Sequence, residues 1–223
     1  DEIARVFSVA YTADGESART RPVTFVWNGG PGSSTMWLHM SSYAPVRVAI
    51  PSNATAPPPG TPLAPNPDSL IDATDLVFID AVGTGYSQIT GKGTPKTFFG
   101  IDEDAQAFEQ FIRSWTTQND RWASPKFLFG ESYGTMRAAT VVERLQRGGM
   151  ALNGVVLLSS AIDYNALDNG QGPGEDYGFV SFLPTEAAVA WYHHRVAGNP
   201  PDLGRFVDEV RAFALGPYSD ALM

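Results

Sequence analysis

Four short runs of the chain are almost continuously apolar: residues 23–27, 76–79, 126–129 and 155–158. Each is bounded by Gly, Pro or Asp, and runs of this length predict strands of a parallel sheet covered on both faces. Residues 6–11 alternate apolar with polar instead, predicting a strand with one exposed face that turns at Ala13-Asp14-Gly15. Helical spacing fills the gaps. Ala105, Phe108, Ile112 and Trp115 recur on one side, after an acidic opening at Asp102-Glu103-Asp104 that suits a helix N-terminus. Residues 133–147 predict a second helix, with Met136, Thr140, Val141 and Leu145 on one face and Gly148-Gly149 ending it. Strand alternating with helix is the pattern of a doubly wound α/β sheet.

Two stretches depart from that pattern. Residues 51–67 are crowded with proline and predict an irregular surface excursion, because strands of one sheet flank them. After Asp163 the strand signal stops. A glycine-rich segment at 170–178 leads to an amphipathic helix expected from Pro184 to about Arg195, and another helix runs through Phe206, Val210 and Phe213. The division expected is residues 1–163 as the sheet-bearing core and 164–223 as the start of a helical cap insertion.

Composition narrows the chemistry. With 43% hydrophobic and 12% aromatic residues, the 223-residue chain has material for a substantial core. Its formal net charge of -9 argues against nucleic acid or an anionic membrane as partner, since either needs a basic face. No apolar stretch is long enough to span a bilayer, and the opening Asp1-Glu2-Ile3 shows no signal-peptide pattern. There is no cysteine, so disulfides, thiol nucleophiles and thiolate metal sites are excluded. The three histidines are His39, His193 and His194. Adjacent histidines on a helix point apart, so no metal site is expected, and no cofactor is implied. One sequon, Asn53-Ala54-Thr55, matters only in a eukaryotic secreted protein.

The sharpest motif is Gly130-Glu131-Ser132-Tyr133-Gly134, set between the run 126–129 and the helix 133–147. It has the form and the strand–turn–helix context of a nucleophile elbow, which presents a serine hydroxyl at the carboxyl edge of a sheet. Asn28-Gly29-Gly30-Pro31-Gly32-Ser33-Ser34 follows the run 23–27. It lacks the Lys-Ser/Thr ending of a phosphate loop, and Pro31 removes a donor. As an oxyanion loop it is coherent, with the Gly30 and Tyr133 N–H groups converging on one carbonyl oxygen. A third glycine loop, residues 82–87, imitates a dinucleotide fingerprint without the helix that should open beside it. It reads as a cleft wall or a plain turn.

Together these segments resemble the serine carboxypeptidase family of the α/β-hydrolases. The resemblance rests on Trp27-Asn28-Gly29-Gly30-Pro31-Gly32-Ser33-Ser34, Asn66-Pro67-Asp68-Ser69, Leu76 to Asp80 leading into Gly83-Thr84-Gly85-Tyr86-Ser87, and the Gly-Glu-Ser-Tyr-Gly turn, in that order. Trp37-Leu38-His39-Met40, Leu183-Pro184-Thr185 and Trp191-Tyr192-His193 resemble bacterial members. The family implies an incomplete α/β-hydrolase sheet, and a secreted or periplasmic setting. It implies Ser132 as nucleophile and Gly30 with Tyr133 as oxyanion hole. Asn28, Gly29 and Glu131 would bind the terminal carboxylate of a peptide with a free C-terminus, Glu131 sharing a proton with it. Two positions depart from the family: its partner glutamate falls near Ser41-Ser42, and its cysteine after Gly-Pro-Gly is Ser33.

A reactive serine needs a base and a group that orients the base. The family places that aspartate and histidine late, which here means beyond Met223, in a C-terminal companion segment or chain. A local set of Asp163 with His193 or His194 has the right order, Ser-Asp-His, but both histidines fall in the predicted helix ending near Arg195. Three readings follow: a carboxypeptidase-like hydrolase, an esterase or acyltransferase on the same scaffold, or a catalytically incomplete binding module.

Overall fold

Five strands form the central sheet: β1 (Ser8–Tyr11), β2 (Val23–Trp27), β3 (Asp75–Ile79), β4 (Lys126–Glu131) and β5 (Gly154–Leu158). The computed structural model describes residues 1–15, 19–51, 56–161 and 176–222. The strand order is β1-β3-β2-β4-β5. β1 runs antiparallel to β3, and every other neighbouring pair is parallel, with Trp27 opposite Gly130 and Glu131 opposite Leu158. Parallel neighbours require crossovers, and the crossover between β4 and β5 is a helix, as strand–helix alternation demands.

β2 and β3 are buried at every position, which is why their sequences carry no alternation. β5 differs. It is the outermost strand, and Val155, Val156 and Leu157 keep 40%, 46% and 47% of their surface exposed. Coverage on both faces, expected from its apolar run, is not met at this strand among the described residues.

Helices α1 (Ile101–Gln118) and α2 (Tyr133–Arg147) cover one face of the sheet. Asp102, Glu103 and Asp104 occupy the first turn of α1, and Arg144 and Arg147 the last turn of α2, each matching the helix dipole. Phe108 and Ile112 of α1 join Val141 and Leu145 of α2 over Phe25, Trp27 and Val77. The buried stripe of α2 is Tyr133, Arg137, Val141 and Leu145, at strict four-residue spacing. Met136 and Thr140, expected on that face, are only half-buried. The opposite face is covered by a short helical segment at 36–43, whose Leu38 and Tyr43 meet Phe78 and Phe129. The proline-rich excursion is not wholly irregular: Leu63–Pro65 pairs antiparallel with Val46–Val48. The sequon at Asn53 lies outside the described residues.

The chain divides into two units, Asp1–Ala161 and Ile162–Met223. In the second, α3 (Tyr177–Tyr192) and α4 (Leu203–Phe213) pack together, and Asp202 caps α4 by accepting the Arg205 N–H at 3.0 Å. α3 corrects two expectations. Pro184 lies inside the helix rather than opening it, and Glu186 is the single charged residue on a cylinder that is apolar all round. The apolar residues Phe179, Val180, Phe182 and Leu183 ahead of the proline carry the helix through it. Losing one backbone bond is tolerated there, at a cost of about 3 kcal/mol. No described helix is long and apolar enough to cross a membrane.

Candidate active site

The carboxyl ends of β2, β3 and β4 deliver three polar segments to one edge of the sheet. Ser132 sits at the junction of β4 and α2 with φ 56° and ψ -126°. A non-glycine residue held there stores about 1–3 kcal/mol of backbone strain. Its neighbours hold it in place: the Ser132 N–H donates to the Leu158 carbonyl at 2.9 Å, and its carbonyl accepts from the Thr135 N–H and hydroxyl at 2.9 and 2.7 Å. The turn closes so tightly that a Cβ on Gly130 would lie 2.0 Å from the Gly134 carbonyl oxygen. Only glycine fits at that position.

The loop after β2 is pressed against this turn. A Cβ on Gly29 would lie 2.5 Å from the Tyr133 nitrogen and 2.6 Å from the Glu131 carbonyl oxygen, so the two backbones touch. The Gly30–Pro31 peptide is cis. Trp27 Nε1 donates to the Gly134 carbonyl at 2.8 Å and staples the end of β2 to the first turn of α2. Asn28 Nδ2 and the Gly29 N–H both donate to Glu131 Oε2, at 3.0 and 3.4 Å. The donors that would meet a ligand carboxylate are therefore satisfied by a resident one. Asn28 is fixed in turn, its Oδ1 accepting the Leu38 N–H at 3.1 Å.

Four residues to which the sequence reading gave no part in the site, Asp80, Thr35, Arg137 and Asp104, organise this edge. Asp80, at the end of β3, accepts the Thr35 N–H at 2.8 Å and the Tyr86 N–H at 3.2 Å, tying together the loops after β2 and β3. The Thr35 hydroxyl donates to the Ile79 carbonyl. Arg137 donates from Nη1 to the Asn28 carbonyl at 2.8 Å and from Nε to Asp104 Oδ2 at 2.7 Å. Its guanidinium also lies over the rings of Phe108 and Tyr133, at 4.5 and 5.2 Å. Arg137 thus braces both the loop after β2 and the start of α2. Its signal was available: an arginine in the apolar stripe 133, 137, 141, 145 has to find a buried partner. Burial raises the pKa of Asp104, while the charge and hydrogen bond of Arg137 pull it down.

Ser132, Tyr133, Glu131, Asn28, Gly29 and Gly30 are thereby gathered at one place. His193 caps the C-terminus of α3 in the second unit, and His194 follows at φ 55° with Nδ1 3.4 Å from Asn199 Oδ1. Both are exposed and lie just past the helix, not within it, because His194 turns to positive φ and stops the ladder. Asp163 lies outside the described residues. His39 packs, its ring stacked on Phe78 at 4.6 Å and its Nε2 2.8 Å from the Tyr11 hydroxyl. Ser42, in the region of the family's partner glutamate, places its hydroxyl 3.3 Å from the Trp37 carbonyl.

Comparison with known proteins bears on the fold and the family. A prohormone-processing carboxypeptidase from Saccharomyces cerevisiae superposes with a TM-score of 0.64 at 21% identity, over 94% of this chain and 43% of its own. A proline iminopeptidase from Mycobacterium smegmatis gives 0.47 at 17% identity, over 94% of this chain and 64% of its own. The chain thus spans less than half the length of the yeast enzyme. No curated protein sequence matches it. The fold is an incomplete α/β-hydrolase fold, and the family model described as serine carboxypeptidase matches residues 4–186. The chain belongs to the serine carboxypeptidase family of hydrolases.

Proposed function

We propose that Ser132 is the nucleophile of a serine-type carboxypeptidase, attacking the last peptide bond of a substrate to form an acyl-enzyme. The observation that carries this reading is the strained Ser132 backbone at the β4–α2 junction, in contact distance of the glycine loop after β2. Such strain persists only where its surroundings over-determine it, and it collects at functional sites. The oxyanion of the tetrahedral intermediate sits between the Gly30 and Tyr133 N–H groups, at the N-terminus of α2. The substrate's terminal carboxylate enters at Asn28, Gly29 and Glu131. It competes there with the Glu131 carboxylate for the Asn28 and Gly29 donors, so binding requires one proton shared between the two acids.

The base and its orienting carboxylate come from a companion segment or chain that extends the sheet. The exposed Val155, Val156 and Leu157 on the outermost strand support this, since parallel strands are otherwise buried on both faces. A second reading, esterase or acyltransferase, is favoured by Ser41-Ser42, near which the family's partner glutamate would fall.

A fluorophosphonate, which reports an activated serine, tests the proposal when intact masses are recorded for the wild type and for Ser132→Ala. Labelling of the wild type in the presence of its companion, and none in Ser132→Ala, is the expected result. Labelling that persists in Ser132→Ala removes the assigned nucleophile. Turnover of short acyl esters without turnover of N-blocked peptides moves the assignment to the second reading.

A further inference from the structure

A cavity of about 340 Å³ opens beside the Ser132 turn, entirely within the first unit. Tyr133 forms one wall, and Pro31 and Gly32 of the neighbouring loop form another. Val82, Phe98 and Phe99 complete it, with the Asp104–Arg137 pair also in its lining. Its size is at the low end for small-ligand sites, so it holds one ring-sized group rather than a length of peptide. The Phe99 ring rests on Gly83, where a Cβ would approach it to 3.0 Å, and keeps 63% of its surface exposed at the rim.

The polar contents of the cavity are asymmetric. Asp104 accepts from Arg137 through Oδ2 only, and Oδ1 has no hydrogen bond among the described residues. The carboxylate keeps 14% of its side-chain surface exposed. A largely enclosed carboxylate with one oxygen free of protein donors has room for one more charge-assisted hydrogen bond. An ammonium donor meets the Arg137 guanidinium already bound to the same group, a like-charge conflict. An aliphatic group leaves Oδ1 without a partner. A neutral donor on an aromatic body matches both the acid and the Phe98, Phe99 and Tyr133 rings.

The geometry points to this cavity as a subsite for a phenolic side chain of the peptide substrate, its hydroxyl donating to Asp104 Oδ1. This deepens the carboxypeptidase reading and rests on it for the word substrate. Burial raises the pKa of Asp104 against the pull of Arg137, as suits a carboxylate short of one donor.

The probe is N-acetyl-tyrosine amide, titrated into the 223-residue chain by NMR beside the phenylalanine and lysine amides. Tyrosine amide is expected to bind about 10–100-fold more tightly than phenylalanine amide, the worth of a hydrogen bond to a charged group. Phe99→Ala, at an exposed rim position that leaves the core intact, weakens tyrosine amide. Asp104→Ala reduces its affinity to that of phenylalanine amide. Equal affinity for the two aromatic amides, tighter lysine amide, or a Phe99→Ala chain that binds unchanged overturns the subsite. The titration needs no reactive serine, so the two readings fail separately. Tyrosine-selective binding without Ser132 labelling leaves a phenol site and removes the peptidase; labelling without tyrosine preference removes only the subsite.

Discussion

The two ends of the sheet both bury arginines, and they use them differently. At the amino end, Arg121 donates to Asp75 at 2.7 Å, to the Ser124 hydroxyl at 2.7 Å and to the Arg21 carbonyl at 2.8 Å. Arg21 holds the other Asp75 oxygen at 2.9 Å, and Arg121 and Asp75 keep only 2% and 1% of their side-chain surface. Every branch of that guanidinium is used, and the network joins β3 to the segments entering β2 and β4. At the carboxyl end, Arg137 is as deeply buried, but its partner Asp104 lines a cavity and accepts from Arg137 through one oxygen only. A closed network fixes the frame, whereas an open one leaves polar capacity beside Ser132. The placement follows the general rule for open α/β sheets, whose ligands bind outside the carboxyl ends of the strands.

The contrast is broken most forcefully from the amino end. Arg121→Met leaves the buried Asp75 with Arg21 and the Ala13 N–H, both on Oδ1, and strips the donor from Oδ2; it is expected to destabilise the fold by about 3–5 kcal/mol. Chemical denaturation measures that loss, and hydrogen exchange over residues 27–33 at matched stability stays unchanged. Arg137→Met is expected to cost less, about 1–3 kcal/mol, because Asp104 takes up a proton when its counterion is gone. Its effect is local: exchange over residues 27–33 accelerates about tenfold as the Asn28 carbonyl loses its donor. If Arg121→Met loosens that loop more than Arg137→Met does, the two ends do not divide the work as described.

Much of this division could be read in the chain. Continuous apolar runs located β2 to β5, and the Gly-Glu-Ser-Tyr-Gly turn located Ser132, because both signals are local. The braces were hidden because each joins residues far apart in sequence, such as Arg137 with Asp104 and Asn28, or Asp80 with Thr35. Only the interruption of an apolar stripe at Arg137 hinted at them. Pro184 misled for the opposite reason: a strong local breaker was overridden by the apolar residues on both sides of it. The exposure of β5 had no sequence signature either, since an apolar run reads the same at the centre of a sheet and at its edge.

The smallest effect expected is the most specific, and it concerns pH. Burial lowers the pKa of His39 from its ordinary 6.5, with the Asp80 charge partly opposing. The unfolded chain therefore takes up a proton at this position before the folded one does. The stability that neutral His39 contributes is complete above pH 6.5 and falls as pH drops through the folded value, because the unfolded state then binds more protons. Asp104 slopes the other way: its raised pKa makes stability greatest below its ordinary 3.8, with loss as pH rises through the folded value. At the amino end, burial and Arg121 lower the pKa of Lys126 from 10.5, which confines its influence to the range below that value on the alkaline side. Denaturant midpoints taken from about pH 10 to about pH 4 separate these groups. His39→Gln is expected to flatten the acid-side decline while leaving the alkaline limb in place. A decline of unchanged steepness in His39→Gln would assign the acid sensitivity to a group other than the histidine stacked on Phe78.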